Sequence, residues 1–455
     1  MHHKFGTPLI LLAVLFAALS FIPLSFLDVE TLGAVGVVGQ PSESFESETV
    51  LEEEVVVPEP IDTRPVVKHV SLPEQVKAIY MTSCVIGTPS FRTKLVELAR
   101  ATEVNSIVID IKDFSGTISF PPEQPEWQSA WQGSRCGARD AREFIEMLHD
   151  NGIYVIGRIT VFQDPFYTAA HPELAVKRAD RETVWKDYKG LSFIDVGAKA
   201  YWDHLVVLAV DSYNIGYDEL NFDYVRYPSD GPMLDISFPQ AEASPYGKDK
   251  QANLEAFFKY LNEQLDNEEL FATYRHENTG RASSTPWTSA DLFGMTTTNY
   301  DDLSIGQVQD RAAPYFDFIA PMVYPSHYPD GAFGYADPND YPYQIVHYAM
   351  KTGVERMVSS TTPMQGFLHE PIMSTNASGT VTFTGLYQKP VYTADKFRTW
   401  IQDFDYGGDY DAADVRAQIK ASYDAGVGSW MIWAPSNIYT RAALMEASST
   451  ATFGL

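Results

Sequence analysis

The chain has 455 residues with 60 acidic against 33 basic side chains, giving a net charge of −27 and a pI near 4.6. That balance leaves no basic stripe for phosphates and excludes nucleic acid as a partner. A hydrophobic fraction of 45% supplies one large core, and the length suits a single α/β barrel with insertions behind an N-terminal extension.

No charge occurs from Phe5 to Leu27, and Pro8–Leu27 is an apolar run of about the length that crosses a bilayer. Residues 1–36 therefore read as a signal anchor or a cleaved signal peptide, with the anchor preferred because no small-x-small cleavage site follows at once. The anchor makes the membrane a partner of the N-terminal segment, and either reading puts the rest outside the cytoplasm. Residues 37–68, with Glu43, Glu46, Glu48, Glu52, Glu53, Glu54, Glu59 and three prolines, form an acidic, disordered linker.

From residue 69 to 445 short apolar runs alternate with helical stretches, the rhythm of repeated βα units. Val76–Met81 is strand one and Phe91–Thr102 an amphipathic helix. Ser106–Asp113 is strand two, followed by a helix over Asp140–Asn151 that Gly152 stops. Tyr154–Phe162 is strand three, and Ala198–Ser212 a helix leading to strand four within Tyr217–Asp230. A helix at Asn253–Asp266 precedes strand five in Ser284–Phe293. Ile305–Tyr315 leads into strand six, Asp317–Tyr324, and Tyr343–Thr352 is helical. Strand seven is either Arg356–Thr361 or Phe397–Phe404. Pro363–Pro390, rich in Thr, Ser and Gly, is an insertion or hairpin between units six and seven. Ala412–Ala425 is a helix closed by Gly426, and Gly428–Ala434 is strand eight. The count closes a single (β/α)8 TIM barrel, with 446–455 as a tail. The only cysteines, Cys84 and Cys136, follow strands one and two and can meet at one rim; an oxidising compartment would permit a disulfide.

Strand four carries the clearest chemical signal. Leu220, Phe222 and Tyr224 alternate with Glu219, Asn221 and Asp223, so one face is apolar and the other holds two carboxylates and an amide. Pro228 ends the ladder. A carboxylate at the C-terminal end of a barrel strand is where this architecture keeps its chemistry, which singles out Asp223. Asp291 stands at the end of neighbouring strand five, or alternatively caps a helix there. Two carboxylates on adjacent strand ends supply the pair that glycosidic cleavage needs, one as nucleophile or base and one as acid.

Asp110 and Lys112 on strand two, with Arg158 and Thr160 on strand three, interleave charges toward the interior, where charges need partners. About 13 Å below Asp223 at roughly 3.3 Å per residue, Glu219 reads as part of a structural ion network. Asp403 and Asp405 are reserve acids. Trp185, Tyr188, Trp287, Tyr300, Tyr324, Tyr328, Trp400, Trp433 and Tyr439 fall at or beyond strand ends, where rings can stack on sugars. No cofactor is expected: no phosphate loop or dinucleotide fingerprint appears, and the ten histidines include no H-E-x-x-H or close-spaced zinc pair.

Taken together, Val76–Tyr80, Ile107–Asp113, Tyr154–Phe162, Phe222–Pro228, Ser289–Thr297, Phe318–Pro325, Trp400–Phe404 and Trp430–Tyr439 resemble the glycoside-hydrolase domain family of bacterial exported proteins. That family is itself distantly similar to α-amylase-type barrels. The resemblance spans about residues 74–445; Phe-Asp-Tyr-Val-Arg-Tyr-Pro at 222–228 is its most specific piece and Met322–Tyr328 the next. It implies a TIM barrel cleaving O-glycosyl bonds of a polysaccharide or cell-envelope glycan, with Asp223 and Asp291 catalytic. The accompanying substrate-binding set is Asp110, Arg158, Asn221, Arg226, Trp287, Tyr324, His327, Gln402, Asp403 and Trp433. Amylase-type barrels usually carry Glu at the strand-five position, so Asp291 is a departure. The alternative reading is a barrel that binds glycans, or scaffolds the envelope, without turnover.

Overall fold

Eight short apolar runs become the strands of a closed, all-parallel barrel in the computed structural model. They are β1 (Lys77–Met81), β2 (Ser106–Lys112), β3 (Tyr154–Thr160), β4 (Glu219–Asp223), β5 (Trp287–Phe293), β6 (Phe318–Met322), β7 (Thr399–Gln402) and β8 (Trp430–Trp433). Strands pair in chain order; β8 pairs with β1, and Trp400 opposite Met322 joins β7 to β6. The main covering helices are α1 (Pro89–Ala101), α2 (Ala141–Asp150), α3 (Lys199–Asn214), α4 (Lys250–Leu265), α5 (Pro342–Val358) and α6 (Ala412–Asp424). This is the (β/α)8 fold read from the sequence. The structure describes residues 62–447, which lie within a compact unit starting at Asp62. The apolar segment 1–36, most of the acidic linker and residues 448–455 lie outside the described residues. Among the described residues no helix is long and apolar enough to cross a membrane.

Period-two alternation sorts each strand between two cores. Ile107, Ile109, Val155, Ile159, Leu220 and Phe222 face the helices, while Ala78, Tyr80, Val108, Ile156, Ala320, Trp400 and Met431 fill the interior. Burying each large side chain contributes roughly 1.5–3 kcal/mol. Deep in the barrel, buried Glu219 ion-pairs with Arg398, the residue before β7. It also accepts from Ser289 Oγ at 2.6 Å and Tyr154 Oη at 3.1 Å. Glu219 is thus the structural ion expected, and its cation reaches it from across the barrel.

Several expectations change. The two options for strand seven resolve to Thr399–Gln402, because residues through Val358 continue α5. The insertion is a hairpin, Glu370–Thr375 against Val381–Gln388, extended by Thr361–Thr362. Val66–Lys68 pairs in parallel with Arg275–Glu277, so the end of the predicted linker belongs to the folded unit. Cys84 and Cys136 are disulfide-bonded. Lys112 does not join Asp110 inside the barrel. The β2–β3 register shifts between Asp110 and Lys112, a bulge that sets Lys112 opposite outward-facing Ile159. Fully buried there, Lys112 pairs with Asp164 at 3.0 Å.

Candidate active site

Asp223 is the last residue of β4. Tyr224, which follows, has φ 53°, an unusual conformation for a bulky residue and one that costs backbone energy. The turn brings the Tyr224 N–H within 2.5 Å of Asp223 Oδ1, and the carbonyls of Asp223 and Tyr224 accept from Val161 and Phe162 N–H at 2.8 and 3.2 Å. The carboxylate is therefore fixed at the C-terminal mouth by its own chain.

Arg158, from β3, is the hub. Its Nη1 donates to Asp110 Oδ1 at 2.7 Å, its Nε to Asp223 Oδ2 at 3.1 Å, and its Nη2 to the same Asp223 oxygen. Asp291 Oδ2 lies 3.9 Å from Nε, so the two Oδ2 atoms of Asp223 and Asp291 are within about 7 Å of each other. That span admits the roughly 5–5.5 Å of a double displacement and only the short end of the roughly 6.5–9.5 Å used for inversion. Burial works against the guanidinium charge, but Asp223 and Asp110 outweigh it and hold Arg158 well above its ordinary pKa.

Asp291 lies within β5, not at a helix cap. Phe222 pairs with Ala290, so Asp291 sits level with Asp223. Its Oδ1 accepts from Asn221 Nδ2 at 2.9 Å and from Trp400 Nε1 at 2.7 Å. Burial, then the negative charge of Asp223, push its carboxyl well above the usual range, while Arg158 and these donors pull the other way. Asp291 is therefore a buried carboxyl of raised proton affinity beside Asp223, which a guanidinium holds. Asp110 is raised to about 6, chiefly by burial, with Arg158 and the Tyr80 hydroxyl opposing. Asn221 Oδ1 is buried without a partner among the described residues.

Of the predicted binding residues, the structure brings Asp110, Arg158, Asn221, Tyr324 and Trp433 to this cluster. The Trp433 ring covers the Arg158 guanidinium at 5.1 Å and stacks on Tyr80 at 4.1 Å. Burial, then the charges of Asp291 and Asp223, raise the Tyr324 hydroxyl pKa. His327 is exposed on the loop after β6, its ring 5.2 Å from Tyr324. Arg226 lies beyond β4 between the rings of Tyr224 and Phe293, at 4.7 and 4.8 Å, and donates to the Tyr227 carbonyl at 3.1 Å.

Three predicted residues are placed elsewhere. Trp287 begins β5 opposite Glu219, at the far end of the barrel, where its indole donates to Thr279 O. Gln402 is fully buried, its carbonyl taking Ser326 Oγ at 2.7 Å and its amide spent on Phe404 O at 2.9 Å. Asp403 accepts from Thr440 N and Oγ1 at 2.8 and 2.7 Å, tying β7 to the C-terminal segment. Reserve acid Asp405 is exposed and accepts from Tyr410 N at 2.9 Å. Trp185 is buried beneath Gly231, so it is no platform. Sequence reasoning passed over the Tyr80 hydroxyl, although Ala78 and Tyr80 share the inward face of β1. It took Trp400 for a rim platform, whereas its indole N–H belongs to Asp291.

No curated protein matches the chain. Among solved structures, the PgaB (BpsB) glycoside hydrolase domain from Bordetella bronchiseptica is 13% identical with a TM-score of 0.51, covering 85% of this chain and 99% of that one. A hypothetical protein from Ruminiclostridium thermocellum is 29% identical over 44% of this chain and 98% of its own, with a TM-score of 0.36. The Bordetella likeness supports the fold, a TIM barrel shared with a glycoside hydrolase domain. The family described as "Putative glycosyl hydrolase domain" matches residues 78–384 and 380–439, and the chain belongs to it.

Proposed function

We propose that this chain is an exported, membrane-tethered glycoside hydrolase acting on a polysaccharide or cell-envelope glycan. Asp223 serves as nucleophile or base, and Asp291 protonates the leaving oxygen. The observation that carries this reading is the contrast between the two acids. They stand on adjacent strands at one level; one is ion-paired to Arg158, and burial raises the proton affinity of the other. Environments that separate the proton affinities of two carboxyls assign acid and base roles. Arg158 lies against both acids and offsets their like-charge repulsion, and Trp433 covers its guanidinium. The Cys84–Cys136 bond supports an oxidising compartment, hence export.

The test is a glycan panel digested by purified protein alongside Asp223→Asn and Asp291→Asn. Each variant should lose at least a thousandfold in kcat/KM while keeping its urea midpoint within a modest shift. Cleavage by Asp223→Asn at the wild-type rate overturns the assignment. One observation favours a second reading: Arg158 occupies Asp223 in an ion pair, which suits a barrel that binds glycans without turnover. Saturable glycan binding with no released product would select it.

A further inference from the structure

A cavity lies outside the carboxylate cluster. It has a volume of about 240 Å3, and its walls include Glu126, Trp127, Phe166, Tyr167, His171 and His204. Glu126 and Trp127 belong to the loop after β2, and Phe166, Tyr167 and His171 to the loop after β3. His204 is in the second turn of α3. Because βα loops build it, the cavity opens on the same end of the barrel as Asp223.

His204 is the informative residue. Its ring stacks on Trp127 at 4.0 Å and meets Tyr167 at 4.7 Å, and Tyr167 in turn stacks on His171 at 4.2 Å. Its ring nitrogens take no partner among the described residues; its backbone carbonyl accepts the Trp127 indole N–H at 3.0 Å. Burial, then the Lys112 charge, push His204 down to about 3, so the imidazole is neutral and offers one donor and one acceptor. Part-buried and held by stacking, the His204 ring keeps both nitrogens free to bond an occupant of the cavity.

The lining decides which occupant. It contains no Lys or Arg, which excludes an anionic group. Among the described residues no set of side chains converges to hold a metal ion. Two imidazoles, a carboxylate and a tyrosine hydroxyl exclude a purely apolar guest. At about 240 Å3 the cavity has room for one six-membered sugar ring. We propose that this cavity binds an uncharged pyranose of a glycan chain, as an accessory site beside the catalytic mouth. Apolar C–H surface lies on the Phe166 side, and hydroxyls bond to His204, His171 and Glu126. The inference rests on the glycan reading for its ligand class, and its test needs no turnover.

The experiment uses the full chain carrying 15N-labelled histidine, with His204 and His171 assigned by His204→Gln and His171→Gln. Maltotetraose, cellotetraose and N,N′,N″,N‴-tetraacetylchitotetraose are titrated as probes. At least one should shift both resonances saturably. Ala170→Trp, which fills the cavity from its exposed wall, should abolish the shift, and Glu126→Gln should weaken binding at least threefold. The urea midpoints of both variants report folding. No shift with any probe overturns the proposal, as does a shift that survives Ala170→Trp. A shift without Asp223-dependent cleavage would sink the hydrolase reading and leave this site standing; cleavage without a shift would do the reverse.

Discussion

The Trp400 indole gives direct control over the candidate acid. Its N–H lies 2.7 Å from Asp291 Oδ1, and a hydrogen bond to a charged acceptor is worth about 1.5–3 kcal/mol. At about 1.36 kcal/mol per pKa unit, losing that donor from the carboxylate form raises the Asp291 pKa by roughly one to two units. Burial already holds this acid above its usual range, so the change is in the same direction. A general acid works while protonated; activity persists below its pKa and falls above it. In Trp400→Phe the basic limb of the kcat/KM profile should therefore move to higher pH by one to two units. The smaller ring leaves a cavity in a fully buried position, so the urea midpoint should fall, and rates are compared only where both proteins are folded. Trp433→Phe is the control, because Trp433 covers Arg158 and gives no hydrogen bond to either acid. It should change rates without moving the limb. A basic limb that stays in place in Trp400→Phe, or moves to lower pH, refutes Asp291 as the acid.

Other expectations follow from the same geometry. Arg158→Met strands Asp110 and Asp223 without their cation and should cost about 3–5 kcal/mol in urea unfolding at pH 7, with a smaller loss at pH 5 as carboxyls take up protons. Asp110 is raised to about 6 when folded against 3.8 unperturbed, so the native state binds the extra proton and stability falls as pH rises from about 4 to about 6. The loss is on the order of 3 kcal/mol, and Asp110→Asn should remove it; an unchanged pH slope in the variant denies that assignment. The Cys84–Cys136 bond spans 52 residues, for which the chain-entropy treatment gives about 4 kcal/mol; Cys84→Ser/Cys136→Ser should lower urea stability by an amount of that order.

What could be read in the sequence was what obeys a strict period. Glu219, Asn221 and Asp223 alternate without interruption, so their shared inward face, the floor role of Glu219 and the rim position of Asp223 were all visible. The bulge beyond Asp110 was not, because nothing in Ile-Val-Ile-Asp-Ile-Lys marks an extra residue. The same alternation therefore misplaced Lys112. Trp287 was grouped with the aromatics at strand ends, yet Asp291 holds the rim of the same strand, and four residues along a strand span about 13 Å. Gln402 and Asp403 carry the right chemistry at the right strand end, but their hydrogen bonds go to Ser326, Phe404 and Thr440, residues far away in sequence or on the following loop. Composition does not reveal which polar groups long-range contacts have already claimed. Strand seven was ambiguous for a related reason: four residues, Thr399–Gln402, carry too little periodicity to distinguish them from the end of a helix.

The polar face of β4 explains why these acids can coexist in the interior. Each inward residue is committed to a different partner at a different depth: Glu219 to Arg398 across the barrel, Asn221 to Asp291 on the neighbouring strand, and Asp223 to Arg158 on the other side. A slip of one residue would point Leu220 and Phe222 inward and drive two carboxylates into the apolar layer beneath the helices, where each unpaired charge costs several kcal/mol. The network therefore fixes register as well as charge. It also bears on proton affinity. With Arg158 hydrogen-bonded to Asp110 and Asp223, Asp291 takes its hydrogen bonds from neutral donors, Asn221 and Trp400, and has Arg158 only at 3.9 Å, so burial and the Asp223 charge win and raise its proton affinity. The acid role proposed for Asp291 rests on three carboxyls meeting one guanidinium, and it should persist in any variant that preserves that ratio.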